Sequence, residues 1–427
     1  MMRPSFRRLL LGLSLIDILL VASIPYIAGS SEDVGDTADL PPKDVSSVDD
    51  DTSSLPFVLV TGGNGLVASN LIMELLQRGY HVRATVRNPS KVSHLRTLRN
   101  SETKLEIAAL DLKEKDVQVY RALLKDGIDW IFHVAAPFVD DLPQSDETME
   151  MAVQSMTLLL QAAAQESSVS QVVYTGSDSA VVYGYADNPI KADPNYIFTE
   201  DDWTNVTCTK GMTDYAKMKT LTELAAWEFV EKHAPNFRFS SLLPSYILGP
   251  LVSDTVTSSK RIVYEIMAGK YPGVIDLYIP MVDIRDVVEA HFRAAMQSKE
   301  PAGSRWANQR RRFLLTRKKG KDVFFPEVAG ILKDHFGPMG YSISTWPIPN
   351  WLLWIVSLFD SELATMSQML GVGENYDNTK SIEVLGLTYH TNATEIILET
   401  AHAMIQQGLI PKKKGYQARG ISGSDEL

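Results

Sequence analysis

The sequence is poor in cysteine and has no excess of positive charge. Cys208 is its one cysteine, which excludes a disulfide framework within the chain. There are 52 acidic residues against 41 lysines and arginines, a formal net charge of −11 that argues against a general nucleic-acid-binding protein. Beyond residues 9–28 we find no apolar run long enough to span a membrane, and no internal repeat. The 45% hydrophobic and 22% charged residues of the 427 indicate a folded protein with one large domain, alone or with an appendage.

The N-terminus has the pattern of a membrane-targeting segment. Residues 9–28 are apolar, follow an arginine-bearing start and precede small residues, which predicts a secretory signal peptide within residues 1–30. Because the segment is long and contains Asp17 and Pro25, the alternatives are an uncleaved anchor that tethers the chain to a membrane and an internal structural role. Residues 31–54 carry eight acidic residues and one lysine, and we interpret them as a disordered acidic linker.

The C-terminus resembles a retrieval signal. Ser424-Asp425-Glu426-Leu427, at the end of a tail over 412–427, is similar to the Lys-Asp-Glu-Leu signals that a retrieval receptor reads in the endoplasmic reticulum. Glycosylation sequons at Asn205 and Asn392 are compatible with a luminal protein. The two ends together predict residence in the lumen of the endoplasmic reticulum, soluble or anchored.

The segment after the linker has the pattern of a dinucleotide-binding unit. The apolar run 55–60 predicts a buried parallel strand, and it leads into the glycine-rich turn 61–68, Thr-Gly-Gly-Asn-Gly-Leu-Val-Ala. Residues 69–79 have helical apolar spacing up to Gly79, a natural helix end, and residues 81–86 predict a second strand. Strand, glycine turn, helix and strand form the βαβ unit that binds dinucleotides.

The residues of the glycine turn have separate expected roles in cofactor binding. Gly62 permits the tight turn, Gly65 lets backbone amides approach a pyrophosphate, and small Ala68 lets the helix pack on the strand. Leu66 and Val67 begin the helix, whose N-terminus faces the anionic phosphates. A glycine-rich turn without a ligand would look similar, so the prediction depends on the surrounding βαβ pattern.

The end of the second strand favours NADP(H) over NAD. An NAD site usually has Asp or Glu there for the ribose 2′-hydroxyl, whereas this sequence has Thr-Val-Arg-Asn-Pro at 85–89. The guanidinium of Arg87, with Arg83 nearby, suits a 2′-phosphate because it presents a charged fork of donors. The alternative is that both arginines are solvated residues at the strand edge.

Further motifs extend the pattern along the chain. Strand-like segments lie at 105–112, 130–137 and 172–174, followed by Thr-Gly-Ser-Asp-Ser at 175–179 and Tyr-Ala-Lys-Met-Lys at 215–219. With these motifs the chain resembles the extended short-chain dehydrogenase/reductases, and more narrowly the dihydroflavonol-4-reductase-like group of the NAD-dependent epimerase/dehydratase superfamily. The other matching motifs are TVRNP at 85–89, HVAAP at 133–137, LLPSYILGP at 242–250, VDIRDVVEAH at 282–291 and DNTKSIEVLGL at 377–387.

The resemblance covers residues 55–411 and implies an α/β fold. We expect a Rossmann-type doubly wound parallel sheet in an NADP-binding core of about 55–250. A smaller C-terminal substrate-binding lobe would lie largely in 251–411, where the apolar run 351–359 predicts a helix of that lobe. The basic stretch 305–321 is expected to be a solvated surface, with binding of an anionic substrate or lipid as the alternative.

Tyr215 and Lys219 are the candidate catalytic pair. Four positions apart on a helix they share a face, and a nearby ammonium lowers the pKa of a tyrosine towards neutral pH. Tyr215 would protonate a carbonyl oxygen while the nicotinamide delivers hydride, and Ser177 would donate a hydrogen bond to the oxyanion. The resemblance implies that Tyr215 and Lys219 also contact the cofactor, Lys219 at the nicotinamide ribose. Ser179 is an alternative catalytic hydroxyl, and Met218 stands where the family often has serine.

The resemblance implies six further cofactor contacts at strand ends, with strand-end packing as the alternative explanation. They are Asp111 and Leu112 near the adenine, Ala135 and Ala136 near the ribose and phosphates, and Pro244 and Ser245 beside the nicotinamide. No metal site is indicated.

The expected function is that of an NADP-dependent oxidoreductase acting on a small-molecule carbonyl or alcohol, without a nucleic-acid partner. The alternatives are a 3β-hydroxysteroid dehydrogenase-like activity and a nucleotide-sugar epimerase or dehydratase. A non-catalytic NADP-binding sensor is a third alternative, and its expected signature is loss of the tyrosine or the lysine.

Overall fold

The fold is built from Leu55 onwards around a parallel sheet. The computed structural model describes residues 55–137, 146–250, 258–297, 304–357 and 370–418, except for 186, 189, 209, 308, 321 and 372. The predicted signal segment, acidic linker and retrieval signal lie outside these ranges. Within them, no helix combines the length and the apolar composition that crossing a membrane requires.

Short and long strands alternate with helices along the described ranges. The strands are β1 (Phe57–Thr61), β2 (His81–Val86), β3 (Leu105–Ala109), β4 (Ile128–His133), β5 (Gln171–Thr175), β6 (Ile197–Phe198), β7 (Arg238–Pro244), β8 (Tyr246–Leu248), β9 (Tyr278–Ile279), β10 (Met281–Asp283), β11 (Arg312–Leu315), β12 (Val323–Phe324) and β13 (Asn375–Tyr376). The helices are α1 (Leu66–Gln77), α2 (Ser93–Arg96), α3 (Ser101–Lys104), α4 (Val117–Leu123), α5 (Asp146–Ala163), α6 (Asp214–His233), α7 (Ser258–Met267), α8 (Ile284–Met296), α9 (Phe325–Phe336), α10 (Asn350–Ser357), α11 (Thr379–Leu385) and α12 (Ala393–Gln406).

Seven of the strands form one parallel sheet in the order β3-β2-β1-β4-β5-β7-β11. Val60 of β1 lies opposite Ala84 of β2 on one side and Phe132 of β4 on the other. The remaining strands pair two by two, β8 with β10, β9 with β12 and β6 with β13. The predicted Rossmann-type arrangement of a parallel sheet with flanking helices is confirmed.

The first five predicted strands are confirmed as β1 to β5, but β3 and β4 end earlier than predicted, at Ala109 and His133. After β4, the N–H groups of Val134 and Ala135 bond to the Thr61 hydroxyl instead of to a neighbouring strand. The loops after these strands, and not the strands themselves, therefore contain the residues expected near the cofactor.

Helix α1 ends where the sequence predicts. Gly79 has φ +85°, in the left-handed region that glycine adopts readily. Its N–H donates to Leu76 O at 3.1 Å, and the N–H of Tyr80 donates to Leu75 O at 2.9 Å. These two bonds form a Schellman motif, which satisfies carbonyl groups at the helix end.

Apolar side chains cover both faces of the sheet. Helices α1 and α8 pack on one face, and α4, α5 and α6 pack on the other. A separate core joins α7, α9 and α12 in the C-terminal part of the chain. Strands β1, β4, β5, β7 and β11 are almost fully buried on both faces, whereas the edge strand β3 is partly exposed.

The C-terminal part does not form only the expected lobe. Helix α8 packs on the sheet beside α1, and β11 pairs in parallel with β7 at the sheet edge. A parallel edge strand requires a crossover connection, so the chain leaves the sheet after β7 and returns to it at β11. The apolar run 351–359 is helical over Asn350–Ser357, and its last two residues lie outside the described ranges.

The expectation of a solvated basic stretch at 305–321 is wrong for three of its arginines, whereas Arg305, Lys318 and Lys319 are exposed as expected. Arg311, Arg312 and Arg317 are buried. Five cations of the stretch form ion pairs: Arg305 with Glu383, Arg310 with Glu231, Arg312 with Glu223, Arg317 with Asp322 and Lys319 with Asp377. Most of the neutralising acids come from distant parts of the chain, so a local count of charge could not reveal them.

Candidate active site

The glycine turn lies where the winding of the sheet changes direction. From β1 the chain continues through β2 and β3 to one edge, and from β4 through β5 to the other. In such sheets ligands bind beyond the carboxyl ends of the strands at this switch point. Gly62 has φ +75°, and a Cβ added there would lie 2.9 Å from the Ala135 Cα. The two backbone segments therefore approach each other without room for a side chain.

Thr61 holds the loop after β4 in place. Its hydroxyl oxygen accepts the N–H groups of Val134 and Ala135, both at 3.1 Å, and lies 3.0 Å from Nδ1 of His133. Burial, with a smaller effect of the Lys219 charge, lowers the pKa of His133 to about 3. The imidazole is therefore neutral near pH 7 and can accept the Thr61 proton.

The N-terminus of α1 offers backbone donors. Gly65 is its N-cap, and no side chain caps the first turn. The Ser69 hydroxyl lies 2.9 Å from Gly63 O and 2.8 Å from Gly65 O, and its single proton is shared between these two carbonyl oxygens of the turn. The side chains at 66–68 are buried, so these residues can offer a ligand only their amides. The uncapped amides and the close backbone approach fit a dinucleotide pyrophosphate.

Ser69 was not among the predicted site residues. The signal for it is a serine four positions after the last glycine of the turn, in the first turn of the helix.

The two arginines considered for a 2′-phosphate have different surroundings. Arg83 is buried and bonds to the carboxylates of Glu106 and Asp126 and to carbonyl groups in 123–125. It therefore belongs to the packing of the sheet. Arg87, the residue after β2, is exposed and accessible to a ligand.

The six strand-end residues lie at the same edge of the sheet, because the strands are parallel. Asp111 and Leu112 follow β3, Ala135 and Ala136 follow β4, and Pro244 and Ser245 lie at the end of β7. The N–H and the hydroxyl of Ser245 both donate to Leu315 O, at 3.1 and 3.3 Å, which joins the ends of β7 and β11.

Ser177, Tyr215 and Lys219 meet at the carboxyl end of β5. Thr213 caps α6 by accepting a backbone N–H of the first turn at 3.1 Å, and the helix presents Tyr215 and Lys219 on one face. The Tyr215 hydroxyl lies near enough to Ser177 for this side chain to lower its pKa. Lys219 is buried, and its Nζ donates to Thr175 O at 3.0 Å. The structure thus brings together the three residues predicted to be catalytic.

Burial dominates the electrostatics of this cluster. It raises the pKa of Tyr215 to about 12, with an opposing effect of the Ser177 hydrogen bond and a further increase from the Asp178 charge. It also lowers the pKa of Lys219 to about 8. The expected lowering of the Tyr215 pKa is not seen, because burial is the largest effect and the Lys219 ammonium is directed at the Thr175 carbonyl.

Asp178 and Tyr376 also belong to the cluster, although the sequence did not predict them. Asp178 accepts the Ser177 hydroxyl at Oδ1 and the Tyr376 hydroxyl at Oδ2, both at 3.1 Å. Burial raises the pKa of Asp178 to about 6 against the effect of these hydrogen bonds. An acid directly after Ser177 was the available signal for Asp178, whereas Tyr376 lies 198 residues away from it in the sequence.

Met218, the departure from the family pattern, and Ser179, the alternative hydroxyl, both have structural roles beside the cluster. Met218 packs against Met149 and Ala152 of α5 in a small apolar cluster beside Tyr215. The N–H of Ser179 donates to Ser177 Oγ at 3.2 Å, so Ser179 supports the neighbouring hydroxyl.

Known proteins with this architecture match the chain over most of the sheet. The model of the NAD dependent epimerase/dehydratase family matches residues 58–306. Cinnamoyl-CoA reductase 1 from Arabidopsis thaliana is 35% identical over 237 residues, 55% of this chain and 65% of that protein. Dihydroflavonol 4-reductase from the same plant is 33% identical over 210 residues, 47% of this chain and 52% of that protein. The matches therefore span about half to two thirds of these relatives.

The solved structures include a close match in fold. Gre2 from Candida albicans, in complex with NADPH, is 26% identical, with a TM-score of 0.65 over 82% of this chain and 99% of that one. The family match contains the glycine turn and the cluster of Ser177, Tyr215 and Lys219, and it spans more than half of the sequence. The chain therefore belongs to the NAD dependent epimerase/dehydratase family and, within it, to the dihydroflavonol-4-reductase-like extended short-chain dehydrogenase/reductases.

Proposed function

We propose that this protein is an NADPH-dependent reductase that interconverts a small-molecule aldehyde or ketone and its alcohol. The observation that carries the proposal is the cluster of Ser177, Tyr215 and Lys219 at the same edge of the parallel sheet as the glycine turn. His133 at the end of β4 stacks on Tyr174 of β5, with ring centroids 6.0 Å apart. Strand β4, whose following loop bonds to Thr61 at the start of the glycine turn, is therefore the direct neighbour of β5, the strand that leads into the cluster.

In this proposal Tyr215 donates a proton to the carbonyl oxygen. With a pKa of about 12 its hydroxyl keeps the proton at neutral pH, which is the form that carbonyl reduction needs. Ser177 donates a hydrogen bond to the same oxygen and stabilises its developing negative charge. A bound nicotinamide cofactor supplies the hydride. Lys219 uses one of its three donors on Thr175 and keeps two for ribose hydroxyls.

For the cofactor we propose NADP(H). The uncapped amides of α1 and the approach of Gly62 to Ala135 suit the pyrophosphate, and exposed Arg87 suits a 2′-phosphate. The Candida structure is a complex with NADPH, and the two plant relatives carry the name of reductases.

We assign the catalytic hydroxyl to Ser177 and not to Ser179. The support is the interaction of Ser177 with Tyr215, which no corresponding interaction of Ser179 accompanies among the causes of the Tyr215 pKa shift. The Ser179 hydroxyl bonds to Asp178, and its N–H donates to Ser177.

The test uses the purified full-length chain. NADPH binding is followed by cofactor fluorescence, and turnover by loss of absorbance near ~340 nm, the band of the reduced nicotinamide. The carbonyl panel contains methylglyoxal, aromatic aldehydes, dihydroflavonols and 3-ketosteroids. We expect turnover of at least one compound, and Tyr215→Phe should lower kcat by about 100-fold or more while NADPH still binds.

The other possible outcomes of this test favour a different function. Turnover of 3-ketosteroids alone would favour the hydroxysteroid dehydrogenase alternative. Tight NADPH binding without any turnover would favour an epimerase, a dehydratase or a sensor. A folded chain that does not bind a dinucleotide would contradict the proposal.

We also propose that the protein resides in the lumen of the endoplasmic reticulum, either soluble or tethered through residues 9–28. The support is the pairing of that segment with the retrieval-like residues 424–427. Both sequon asparagines, Asn205 and Asn392, are exposed.

In a eukaryotic cell we expect the protein to carry glycans that endoglycosidase H removes. The double variant Asn205→Gln, Asn392→Gln should carry none. Removal of residues 424–427 should cause secretion if the protein is soluble, and an unglycosylated protein in the cytosol would contradict the proposal.

A further inference from the structure

Asp178 is the charged group of the cluster that the proposed reaction does not use. It lies directly after Ser177 and links three parts of the fold. Its carboxylate bonds to Ser177 after β5 and to Tyr376 of β13, and Ser177 in turn interacts with the neighbouring Tyr215 of α6. A carboxylate in this position acts on the direction in which the Ser177 proton points.

The hydrogen-bond capacity of Ser177 limits what it can do when Asp178 is ionised. A serine hydroxyl donates one hydrogen bond and accepts two. Ser179 N–H occupies one accepting position at 3.2 Å. An ionised Asp178 can only accept hydrogen bonds, so the Ser177 hydroxyl donates its one hydrogen bond to it, at 3.1 Å. Ser177 can then only accept from Tyr215, and neither hydroxyl directs its proton at a substrate oxygen.

Protonation of Asp178 reverses this arrangement. The carboxylic acid can donate to the second accepting position of Ser177. Ser177 then directs its own proton at the substrate carbonyl, and the Tyr215 proton is no longer held by Ser177. Both hydrogen bonds that the reduction requires become available together.

We propose that Asp178 is a positioning residue for Ser177, and that its protonation state decides whether the Ser177 proton points at the aspartate or at the substrate carbonyl. This inference rests on the proposed reductase function and assigns a pH dependence to the same site. In the direction of reduction, the protonated form of Asp178 is the active one.

The surroundings of Asp178 favour a proton that exchanges near neutral pH. Burial is the largest influence and raises its pKa to about 6, while the hydrogen bonds from Tyr376, Ser177 and Ser179 act in the opposite direction. None of these largest influences is a cation. The titratable groups that face this part of the site are Tyr376 of β13, Tyr246 of β8, Tyr215 of α6, Tyr183 and Glu374.

The test is the pH profile of kcat/KM for reduction by the full-length enzyme, with NADPH and the carbonyl of the panel that it turns over fastest. For a group with a pKa of about 6, kcat/KM should fall about tenfold between pH 5 and pH 7. Lys219, with a pKa of about 8, titrates above this range. Asp178→Asn is always neutral and its amide can donate to Ser177, so the ratio of the two kcat/KM values should approach one.

Two further variants make the profile specific. Tyr376→Phe removes a hydrogen bond that stabilises the Asp178 carboxylate. The pKa of Asp178 should therefore rise, and the fall in kcat/KM should move to higher pH. Glu374→Gln is the control for charge, because it removes one negative charge nearby without touching Ser177, and it should keep the tenfold fall.

A wild-type profile that is flat from pH 5 to pH 7, or an Asp178→Asn enzyme that keeps the fall, would overturn the inference while the reductase function stands. If thermal melting shows that Asp178→Asn does not fold, Tyr376→Phe decides: a shift to higher pH supports the inference, and an unmoved profile overturns it. Absence of wild-type turnover at every pH would contradict the proposed function, and the inference with it.

Discussion

The Glu223 carboxylate forms a buried ion pair with Arg312, with 2.7 Å between Oε1 and Nε. Glu223 follows Lys219 by four residues and Tyr215 by eight, on the same face of α6. Arg312 begins β11, so the pair ties the helix of the candidate active site to the edge strand of the sheet. The negative charge of Glu223 also opposes the effect of burial on the pKa of Lys219.

We therefore expect Glu223→Gln to destabilise the protein and to change its pH profile. The substitution leaves the Arg312 guanidinium buried without its carboxylate, and such a loss costs about 3–5 kcal/mol. Lys219 loses a stabilising charge, so its pKa should fall below about 8, and the decline in kcat/KM that we expect when Lys219 loses its proton should begin at a lower pH. Denaturant unfolding and the pH dependence of kcat/KM measure the two effects.

The control for this prediction is Glu74→Gln on α1. Glu74 pairs with Arg78 at 2.7 Å, but both side chains are about one third exposed. Loss of such a pair should cost less than about 1 kcal/mol. If the two variants lose the same unfolding free energy, the buried pair of Glu223 and Arg312 does not stabilise the fold more than an exposed pair does.

Gly62→Ala should weaken NADPH binding by about tenfold or more. Its Cβ would lie 2.9 Å from the Ala135 Cα, a backbone atom, so the two sides of the nucleotide turn would have to separate. Gly127→Ala is a matched control, because Gly127 has φ +85° but nothing within 4 Å of an added Cβ. Both substitutions add backbone strain of about 1–2 kcal/mol, but Gly127→Ala should leave the Kd for NADPH unchanged. Equal effects on the Kd would contradict the close-approach explanation.

Arg87→Ala should reduce the preference for NADPH over NADH. A charge-assisted hydrogen bond to the 2′-phosphate contributes about 1.5–3 kcal/mol, so the Kd for NADPH should rise about 10- to 100-fold while that for NADH changes little. Arg83→Ala removes a side chain bonded within the protein, so it should lower stability without changing the ratio of the two Kd values. Cofactor fluorescence titrations measure both constants. If the Kd values for NADPH and NADH rise by the same factor in Arg87→Ala, another residue must contact the 2′-phosphate.

The nucleotide half of the site could be predicted because its signals are local. The glycine turn, the helix that ends at Gly79 and the strand before Arg87 are consecutive in the sequence, and each follows from backbone preference and apolar spacing. The pairing of Tyr215 with Lys219 is equally local, since four residues make one turn of α6.

The features that the sequence did not reveal depend on distant contacts. Arg312 looks like part of a solvated basic stretch until Glu223, 89 residues away, is placed beside it. Asp178 has an ordinary sequence context, and its role emerges only when Tyr376 and the end of β5 come together. The raised pKa of Tyr215 is likewise an effect of burial, which no spacing of residues in the sequence expresses.

His291 makes the stability of the fold depend on pH. Its Nε2 lies 2.7 Å from the Thr175 hydroxyl and its Nδ1 lies 2.7 Å from Val287 O, which can only accept, so Nδ1 carries a proton. Burial lowers its pKa from 6.5 to about 4. Between these values the unfolded chain binds more protons than the folded one, so this histidine lowers the stability as the pH falls from about 6.5 to about 4.

His291→Gln should remove this dependence. The unfolding free energy of the wild type minus that of the variant should decrease by about 2–3 kcal/mol between pH 7 and pH 4.5, measured by urea denaturation. Glu200, whose pKa burial raises to about 7, acts in the opposite direction, but it is present in both proteins and cancels in the difference. His81→Gln, at an exposed position, is the control and should retain the wild-type dependence. A difference between wild type and His291→Gln that stays constant with pH would show that His291 does not titrate as its burial requires.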